Sequence, residues 1–201
     1  LHLMLENFNP SSFDLPVSEV ISQVKSQLSK SNSLIIQAPP GAGKSTLLPL
    51  TLLDEPWLAG KKIMMLEPRR LATKTIAQRM ASMTDTKLGD LIGYRIRFES
   101  AISAKTRLEV ITEGILTRML HSDNALEDVG LVIFDEFHER NLHSEVALAL
   151  IREVQQVLRP DLRILLMSAT IDAKVLSEML KSTVIESKGR QYPVEVNYMN
   201  E

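Results

Sequence analysis

Short hydrophobic runs alternate along this chain with longer stretches in which apolar residues recur every three or four positions. The runs contain little polar alternation, which is typical of parallel strands buried on both faces. They predict strands at residues 34–37, 62–66, 108–112, 131–135, 164–168 and 184–186. The helical stretches lie at residues 17–28, 46–53, 71–83, 114–121, 144–158 and 173–181. This alternation predicts an α/β fold, a mostly parallel sheet with helices on both faces.

The same pattern suggests how the chain is organised. Its 201 residues, 44% of them hydrophobic, suffice for one domain with a substantial core. We expect an N-terminal lead-in segment and helix at residues 1–30, followed by the α/β domain at 31–190. Residues 191–201 are predicted to be an exit segment. Val194, Val196 and Tyr198 alternate there with Glu195 and Asn197, so an edge strand is the alternative.

Composition narrows the cellular setting and the partners. No apolar run approaches the roughly 18–20 residues that span a bilayer, and no secretion signal is visible at the N-terminus. We therefore predict a cytoplasmic protein with no membrane partner. The chain has no cysteine, which excludes disulfides and thiolate metal sites. Its net charge is −2, but residues 61–107 hold eleven Lys/Arg against four Asp/Glu, which fits a local phosphate-contact surface.

A glycine-rich segment follows the first predicted strand. It reads Ala38-Pro39-Pro40-Gly41-Ala42-Gly43-Lys44-Ser45-Thr46 and leads into a predicted helix. Such a loop directs backbone N–H groups at an anion, and the helix dipole adds to the attraction. Lys44 is expected to reach the outer phosphates of a nucleotide and Ser45 to ligate Mg²⁺. The alternative is a plain Gly/Pro turn before an amphipathic helix.

A pair of carboxylates ends the fourth predicted strand. The run Leu131-Val132-Ile133-Phe134 is followed by Asp135 and Glu136, the form expected of a Walker B element. Asp135 is predicted to hold Mg²⁺ opposite Ser45, partly through water, and Glu136 to orient the attacking water. The alternative is a solvated Asp-Glu turn. A zinc-protease site is not indicated, since His143 follows His138 one residue too late for H-E-x-x-H.

Two further strand ends carry polar clusters. Arg69 and Arg70 follow Pro68 after the second predicted strand, where guanidinium groups can grip phosphates. A solvated pair at a helix start would look the same. Ser168-Ala169-Thr170 follows the fifth strand and could also cap the next helix. Because ligands of open α/β sheets bind at the carboxyl ends of the strands, all these clusters are expected at one edge.

Taken together, these motifs resemble the nucleotide site of DEAH-box ATP-dependent RNA helicases of superfamily two. The resemblance covers about residue 16 to the last residue and implies a RecA-like P-loop domain, the first of two. The first loop position is Ala38, a variant that helicase-like ATPases use. Phe137 stands where the family usually has alanine, and the resulting segment Asp135-Glu136-Phe137-His138 resembles that of the bacterial HrpB-type branch. The other matching segments are Leu66-Glu67-Pro68-Arg69-Arg70, Gly93-Tyr94-Arg95-Ile96-Arg97-Phe98, Thr112-Glu113-Gly114, Ser168-Ala169-Thr170 and Gly189-Arg190-Gln191-Tyr192-Pro193-Val194.

The resemblance implies ATP or another NTP and Mg²⁺ as cofactors, and single-stranded RNA as partner, with DNA possible. It implies phosphate contacts from the loop residues Pro40, Gly41, Ala42, Gly43, Lys44, Ser45 and Thr46. RNA contacts are implied for Arg69, Arg70, Arg97, Phe98, Thr112, Glu113 and Gly114. Arg79 is implied beside the base, and His138 with Lys44, Asp135 and Glu136 in the catalytic set. Ser168, Ala169 and Thr170 are implied to couple hydrolysis to strand movement, and a second RecA-like domain and C-terminal domains to complete the enzyme.

Two other hypotheses remain from the sequence. A P-loop ATPase of another lineage, such as a transporter ATPase, would need a signature loop before the Walker B element, and no such glycine-serine element precedes Leu131. A small-molecule kinase would not explain the Arg69-Arg70 and Ser168–Thr170 elements. A nucleotide-dependent RNA-binding module without catalysis predicts damage at Lys44, Asp135 or Glu136, and all three residues are intact.

Overall fold

The hydrophobic runs form the central sheet of the domain. The computed structural model describes residues 8–137, 141–169 and 173–188, so the predicted exit segment, His138 and Thr170 lie outside the described residues. Within these ranges eight strands form one sheet in the order β4-β3-β5-β2-β6-β7-β1-β8. The strands are β1 Ser33–Gln37, β2 Lys62–Leu66, β3 Ile92–Ile96, β4 Glu99–Ala101, β5 Leu108–Ile111, β6 Val129–Phe134, β7 Arg163–Ser168 and β8 Thr183–Glu186.

Helices cover both faces of this sheet, as predicted. They are α1 Ile21–Lys30, α2 Leu47–Thr51, α3 Arg70–Met83, α4 Glu113–Ser122, α5 Leu142–Val157 and α6 Ala173–Leu180, with short 3₁₀ turns at Pro10–Ser12, Pro16–Val20 and Pro56–Leu58. Helices α1, α2 and α3 pack with Leu34 and Ile36 of β1 in one core cluster. Helices α4, α5 and α6 pack with Ile35 in the other. Successive residues of β1 therefore enter opposite cores, which explains why its sequence lacks polar alternation.

All pairings in the sheet are parallel except that between β3 and β4. The sequence did not predict this antiparallel hairpin. Its first strand ends in Arg95 and Ile96, and its second is Glu99-Ser100-Ala101, so neither half carries the long apolar run of a buried strand. The hairpin forms the outer edge of the sheet, where polar residues are tolerated.

The N-terminal lead-in differs from its prediction in one respect. The single helix expected at residues 17–28 is divided into a 3₁₀ turn at Pro16–Val20 and helix α1. Val17, Val20, Val24 and Leu28 are all buried in the core that also receives the glycine-rich loop. Their side chains make this segment part of the packing behind the loop.

Across the described part of the chain, no helix combines the length and apolarity needed to cross a bilayer.

Candidate nucleotide site and nucleic-acid face

The glycine-rich loop leaves β1 and turns through two glycines with positive φ. Gly41 has φ +77° and Gly43 has φ +89°. A Cβ atom added at Gly43 would lie 2.8 Å from Leu15 Cδ1, so a larger residue there would displace the lead-in segment as well as strain the backbone. The Val17 N–H donates to the Ala42 carbonyl across 2.9 Å. The lead-in segment therefore packs against one side of the loop, and the opposite side can face an anion.

Lys44 lies at the end of this loop and is 2% exposed. Its Nζ atom is 3.2 Å from Glu136 Oε1. A buried ammonium needs an anionic partner, and the partner comes from the far end of β6. This contact brings the glycine-rich loop and the predicted Walker B carboxylates into one cluster.

Asp135 is the most strongly perturbed carboxyl group of this cluster. It is 3% exposed, and burial raises its pKa to about 6, against the lowering effect of a hydrogen bond with Ser45. Its Oδ1 atom accepts the Glu136 N–H at 2.9 Å, while Oδ2 is buried without a hydrogen-bond partner in the described structure. An unsatisfied carboxylate oxygen beside a serine hydroxyl suits a hard cation that prefers oxygen ligands, such as Mg²⁺.

Glu136 has an unusual backbone. Its φ of +50° is in the left-handed region, which costs a non-glycine residue on the order of 1–3 kcal/mol and is most often retained at functional sites. Its side chain is 26% exposed. The carboxylate therefore stands at the rim of the cluster, reachable by water, while Asp135 beside it is enclosed.

Ser168, at the end of β7, contacts the same site. Its carbonyl accepts the Ala38 N–H at 2.9 Å, so the end of β7 is bonded to the first residue of the loop. Its hydroxyl is fully buried and has no hydrogen-bond partner among the described residues. Two unpartnered oxygens, on Asp135 and Ser168, thus lie at the ends of adjacent strands.

The predicted RNA contacts lie farther along the same edge of the sheet. Arg69 and Arg70 are exposed at the start of α3, and the Arg69 N–H donates to the buried Glu67 carboxylate at 3.3 Å. Arg79 is exposed later in α3, and its place beside a base remains a prediction. The bond to Glu67 fixes the turn from which both arginines project.

The β3–β4 turn presents an aromatic ring to solvent. Phe98 is 90% exposed with φ +71°, and the Arg97 guanidinium lies 4.7 Å from its ring centroid. The turn is held by Glu99, which contacts Lys74 Nζ at 2.6 Å and accepts the Tyr94 hydroxyl. These two hydrogen bonds lower the pKa of Glu99.

The three residues of the Thr112-Glu113-Gly114 segment differ in their exposure to solvent. Thr112 is half-buried and Gly114 is exposed at the start of α4. Glu113 is only 6% exposed and accepts the Ser144 hydroxyl at 2.7 Å. The resemblance implied an RNA contact for all three residues, yet the Glu113 carboxylate points into the protein.

Comparison with known proteins identifies the family of this chain. The sequence model of the DEAD/DEAH box helicases matches residues 18–179. The chain belongs to the DEAD/DEAH box helicase family. It is 50% identical over 186 residues to the ATP-dependent RNA helicase HrpB of Escherichia coli, covering 92% of this chain and 23% of that protein. It is 35% identical over 193 residues to the ATP-dependent RNA helicase HrpA homolog of Haemophilus influenzae, covering 94% of this chain and 15% of that one.

Solved structures show the same likeness. A crystal structure of the Escherichia coli DEAH/RHA helicase HrpB matches with a TM-score of 0.86 at 50% identity, over 90% of this chain and 23% of that one. The RecA-like fold predicted from the sequence is thereby confirmed. The chain spans less than a quarter of the length of these relatives.

Several side chains of this DEAD/DEAH box domain were not singled out by sequence reasoning. Leu15 and Val17 support the loop, Glu67 fixes the Arg69 turn, and Ser144 bonds Glu113. Leu15, Val17 and Ser144 act over long sequence separations. Glu67 belongs to the matching segment at residues 66–70, but the sequence analysis gave it no role of its own. Only the burial of Glu67 after a strand could have been suspected, from a lone carboxylate within an apolar and proline-flanked run.

Proposed function

We propose that this chain is the first RecA-like motor domain of an ATP-dependent, DEAH-type RNA helicase. The domain binds an NTP with Mg²⁺ and hydrolyses it to move along or unwind RNA. The observation that carries the proposal is the cluster at the strand ends, in which the buried Lys44 and Asp135 and the rim residue Glu136 meet at the glycine-rich loop.

Binding of the phosphates is assigned to the loop residues 40–46, with Lys44 supplying the positive charge. Ser45 and Asp135 are the residues that would hold Mg²⁺, which neutralises charge on the phosphate oxygens when bound. Asp135 Oδ2 supports this role, because it is buried with no hydrogen-bond partner among the described residues. Arg79 is proposed to flank the base.

Hydrolysis is assigned to Glu136 as the residue that orients the attacking water and accepts its proton. Its rim position, where water can reach it, and its place beside Lys44 in the cluster support the assignment. His138 is proposed to act on the γ-phosphate side, by resemblance. Ser168, Ala169 and Thr170 are proposed to couple hydrolysis to strand movement, which the bond between Ser168 and Ala38 supports.

RNA is proposed to cross the edge formed by the α3 start, the β3–β4 turn and the α4 start. Arg69, Arg70 and Arg97 would contact phosphates, and Phe98 would stack on a base. The 90% exposure of Phe98 supports this role, because its ring offers an accessible face on which a base can stack. Thr112 and Gly114 would contact the RNA backbone.

The domain is proposed to occupy residues 31–190 with a lead-in at 1–30, and residues 191–201 to continue toward a second RecA-like domain. The greater length of the relatives supports this interpretation, and their bacterial sources support a bacterial, cytoplasmic protein.

An arginine finger from another domain contributes about 10³–10⁵ in rate in related enzymes. We therefore expect the isolated 201-residue chain to hydrolyse NTP poorly.

The test is RNA-stimulated ATP hydrolysis by the full-length protein carrying Glu136→Gln. We expect stimulated turnover to fall by about 10²–10³, with nucleotide binding retained. Glu145→Gln is the matched control, since Glu145 is an exposed carboxylate on α5, and it should leave turnover unchanged. Normal turnover in Glu136→Gln would refute the proposal.

A further inference from the structure

A buried hydrogen bond joins the first turns of α4 and α5. Ser144 Oγ donates to Glu113 Oε1 across 2.7 Å, and the two residues are 7% and 6% exposed. They are 31 positions apart in the sequence. A carboxylate in the first turn of a helix is favoured by the helix dipole, and this one lies at the first turns of two helices at once.

The bond connects the two functional regions of the edge. Helix α4 begins directly after Thr112, on the proposed RNA side. Helix α5 begins after the segment that carries the nucleotide carboxylates, with Asn141 capping it by accepting the His143 N–H at 3.0 Å. Strands β5 and β6, which lead toward these helices, are separated in the sheet only by β2. The Glu113–Ser144 bond therefore links helices that follow strands on either side of β2.

We propose that Glu113 and Ser144 are a positioning pair that transmits RNA binding at α4 to the nucleotide site through α5. This role rests on the proposed function. The Glu113 carboxylate is directed at Ser144 and buried, and its negative charge would repel phosphate. A shift of the α4 start on RNA binding must either carry the α5 start with it or break the bond, because packed elements move as units.

The experiment compares Ser144→Ala with the wild type in the full-length protein. ATP hydrolysis is measured against increasing single-stranded oligouridine, and oligouridine binding by fluorescence anisotropy. Loss of the bond should lower the RNA-stimulated kcat about fivefold to tenfold. Turnover without RNA and the oligouridine Kd should stay near the wild-type values. The matched control is Ser177→Ala, since the exposed Ser177 hydroxyl donates to the Lys174 carbonyl of its own helix.

Changes at the other partner complete the test. Glu113→Gln keeps an acceptor oxygen for the Ser144 hydroxyl and should retain most of the stimulation. Glu113→Ala should lose it, and adding Ser144→Ala should cause little further loss, because both changes remove one interaction.

Three results would overturn the proposal: normal stimulation in Ser144→Ala, an equal loss with and without RNA, or weaker oligouridine binding in Glu113→Ala alone. The last would make Glu113 an RNA contact. If Ser144→Ala does not fold, Ser144→Cys replaces it, since a thiol of similar size is a weak donor. Ser144→Cys must then lower the RNA-stimulated kcat while leaving turnover without RNA and the oligouridine Kd unchanged. Failure of the proposed function would instead show as absence of stimulation in the wild type.

Discussion

The nucleotide site and the nucleic-acid face share one edge of the sheet but differ in how they hold charge. Lys44 and Asp135 are nearly inaccessible to water, and the Lys44 charge partly offsets the effect of burial on the pKa of Asp135. Arg69, Arg70 and Phe98 are exposed. Removing the partner of a buried charge is strongly destabilising, because the remaining charge is left uncompensated. Exposed charges are screened by solvent and salt. Substitutions should therefore have large, interdependent effects at the first region and small, additive ones at the second.

The largest effect is expected from Lys44→Ala. This change removes the phosphate-binding cation and leaves two carboxylates, Asp135 and Glu136, facing each other without a compensating charge. We expect Mg-ATP binding to be lost and RNA-stimulated hydrolysis to fall by about 10³ or more in the full-length protein. Titration with a fluorescent ATP analogue measures the binding. Unchanged affinity for the analogue would place the nucleotide elsewhere.

Asp135→Asn should have the next largest effect, on stability. Burial raises the pKa of Asp135 from 3.8 to about 6, so the folded state binds more protons than the unfolded state between these values. The contribution of Asp135 to the free energy of unfolding should thus be greatest below pH 4. It should fall by on the order of 3 kcal/mol as pH rises through 6.

Urea unfolding of the metal-free protein between pH 4 and 7 measures this dependence. Asp135→Asn should remove that part of the slope and be the more stable form at pH 7. Asp161→Asn is a useful contrast, because hydrogen bonds from Arg159 lower the pKa of that carboxyl, so its contribution is present above the unfolded pKa and lost as pH falls. Identical slopes in wild type and Asp135→Asn would contradict the burial argument.

Phe98→Ala tests the exposed face. Stacking of a base on an aromatic ring is worth about 1–3 kcal/mol, so single-stranded RNA should bind roughly tenfold more weakly. The salt dependence should be unchanged, because no charge is removed. Phe98→Tyr keeps a ring and serves as the control. Equal RNA affinity of Phe98→Ala and the wild type in anisotropy titrations would show that the Phe98 ring does not contact RNA.

Arg69→Gln and Arg70→Gln should have the smallest effects, each visible mainly in salt dependence. Removing one arginine–phosphate ion pair should reduce the slope of log K against log salt by about 0.7 for a single strand. Lys30→Gln is the control, since Lys30 is exposed at the end of α1 just before β1, away from the carboxyl ends of the strands. A slope equal to that of Lys30→Gln would argue against an interaction of these arginines with RNA phosphates.

The two regions also differ in how far sequence predicted them. The six predicted strands agree with the structure within two residues. Strand β8 lies at the sheet edge, and Ile185 is its one buried residue. The other five are mostly apolar runs in the interior of the sheet, buried on both faces. The nucleotide residues directly follow such runs, so their position was predictable from topology.

The β3–β4 hairpin carries no such signal, since its strands are short and polar at the sheet edge. The Glu113–Ser144 bond was equally inaccessible. It depends on how α4 packs beside α5, and no spacing along the chain reports that packing.

The central claim, that Glu136 activates water in a site built by the strand ends, is tested most directly by single-turnover hydrolysis. ATP is bound to the full-length Glu136→Gln protein with saturating oligouridine, and the fraction hydrolysed is followed over time. We predict that bound ATP stays intact long after the wild type has completed its turnover. Hydrolysis at the wild-type rate would contradict the assignment.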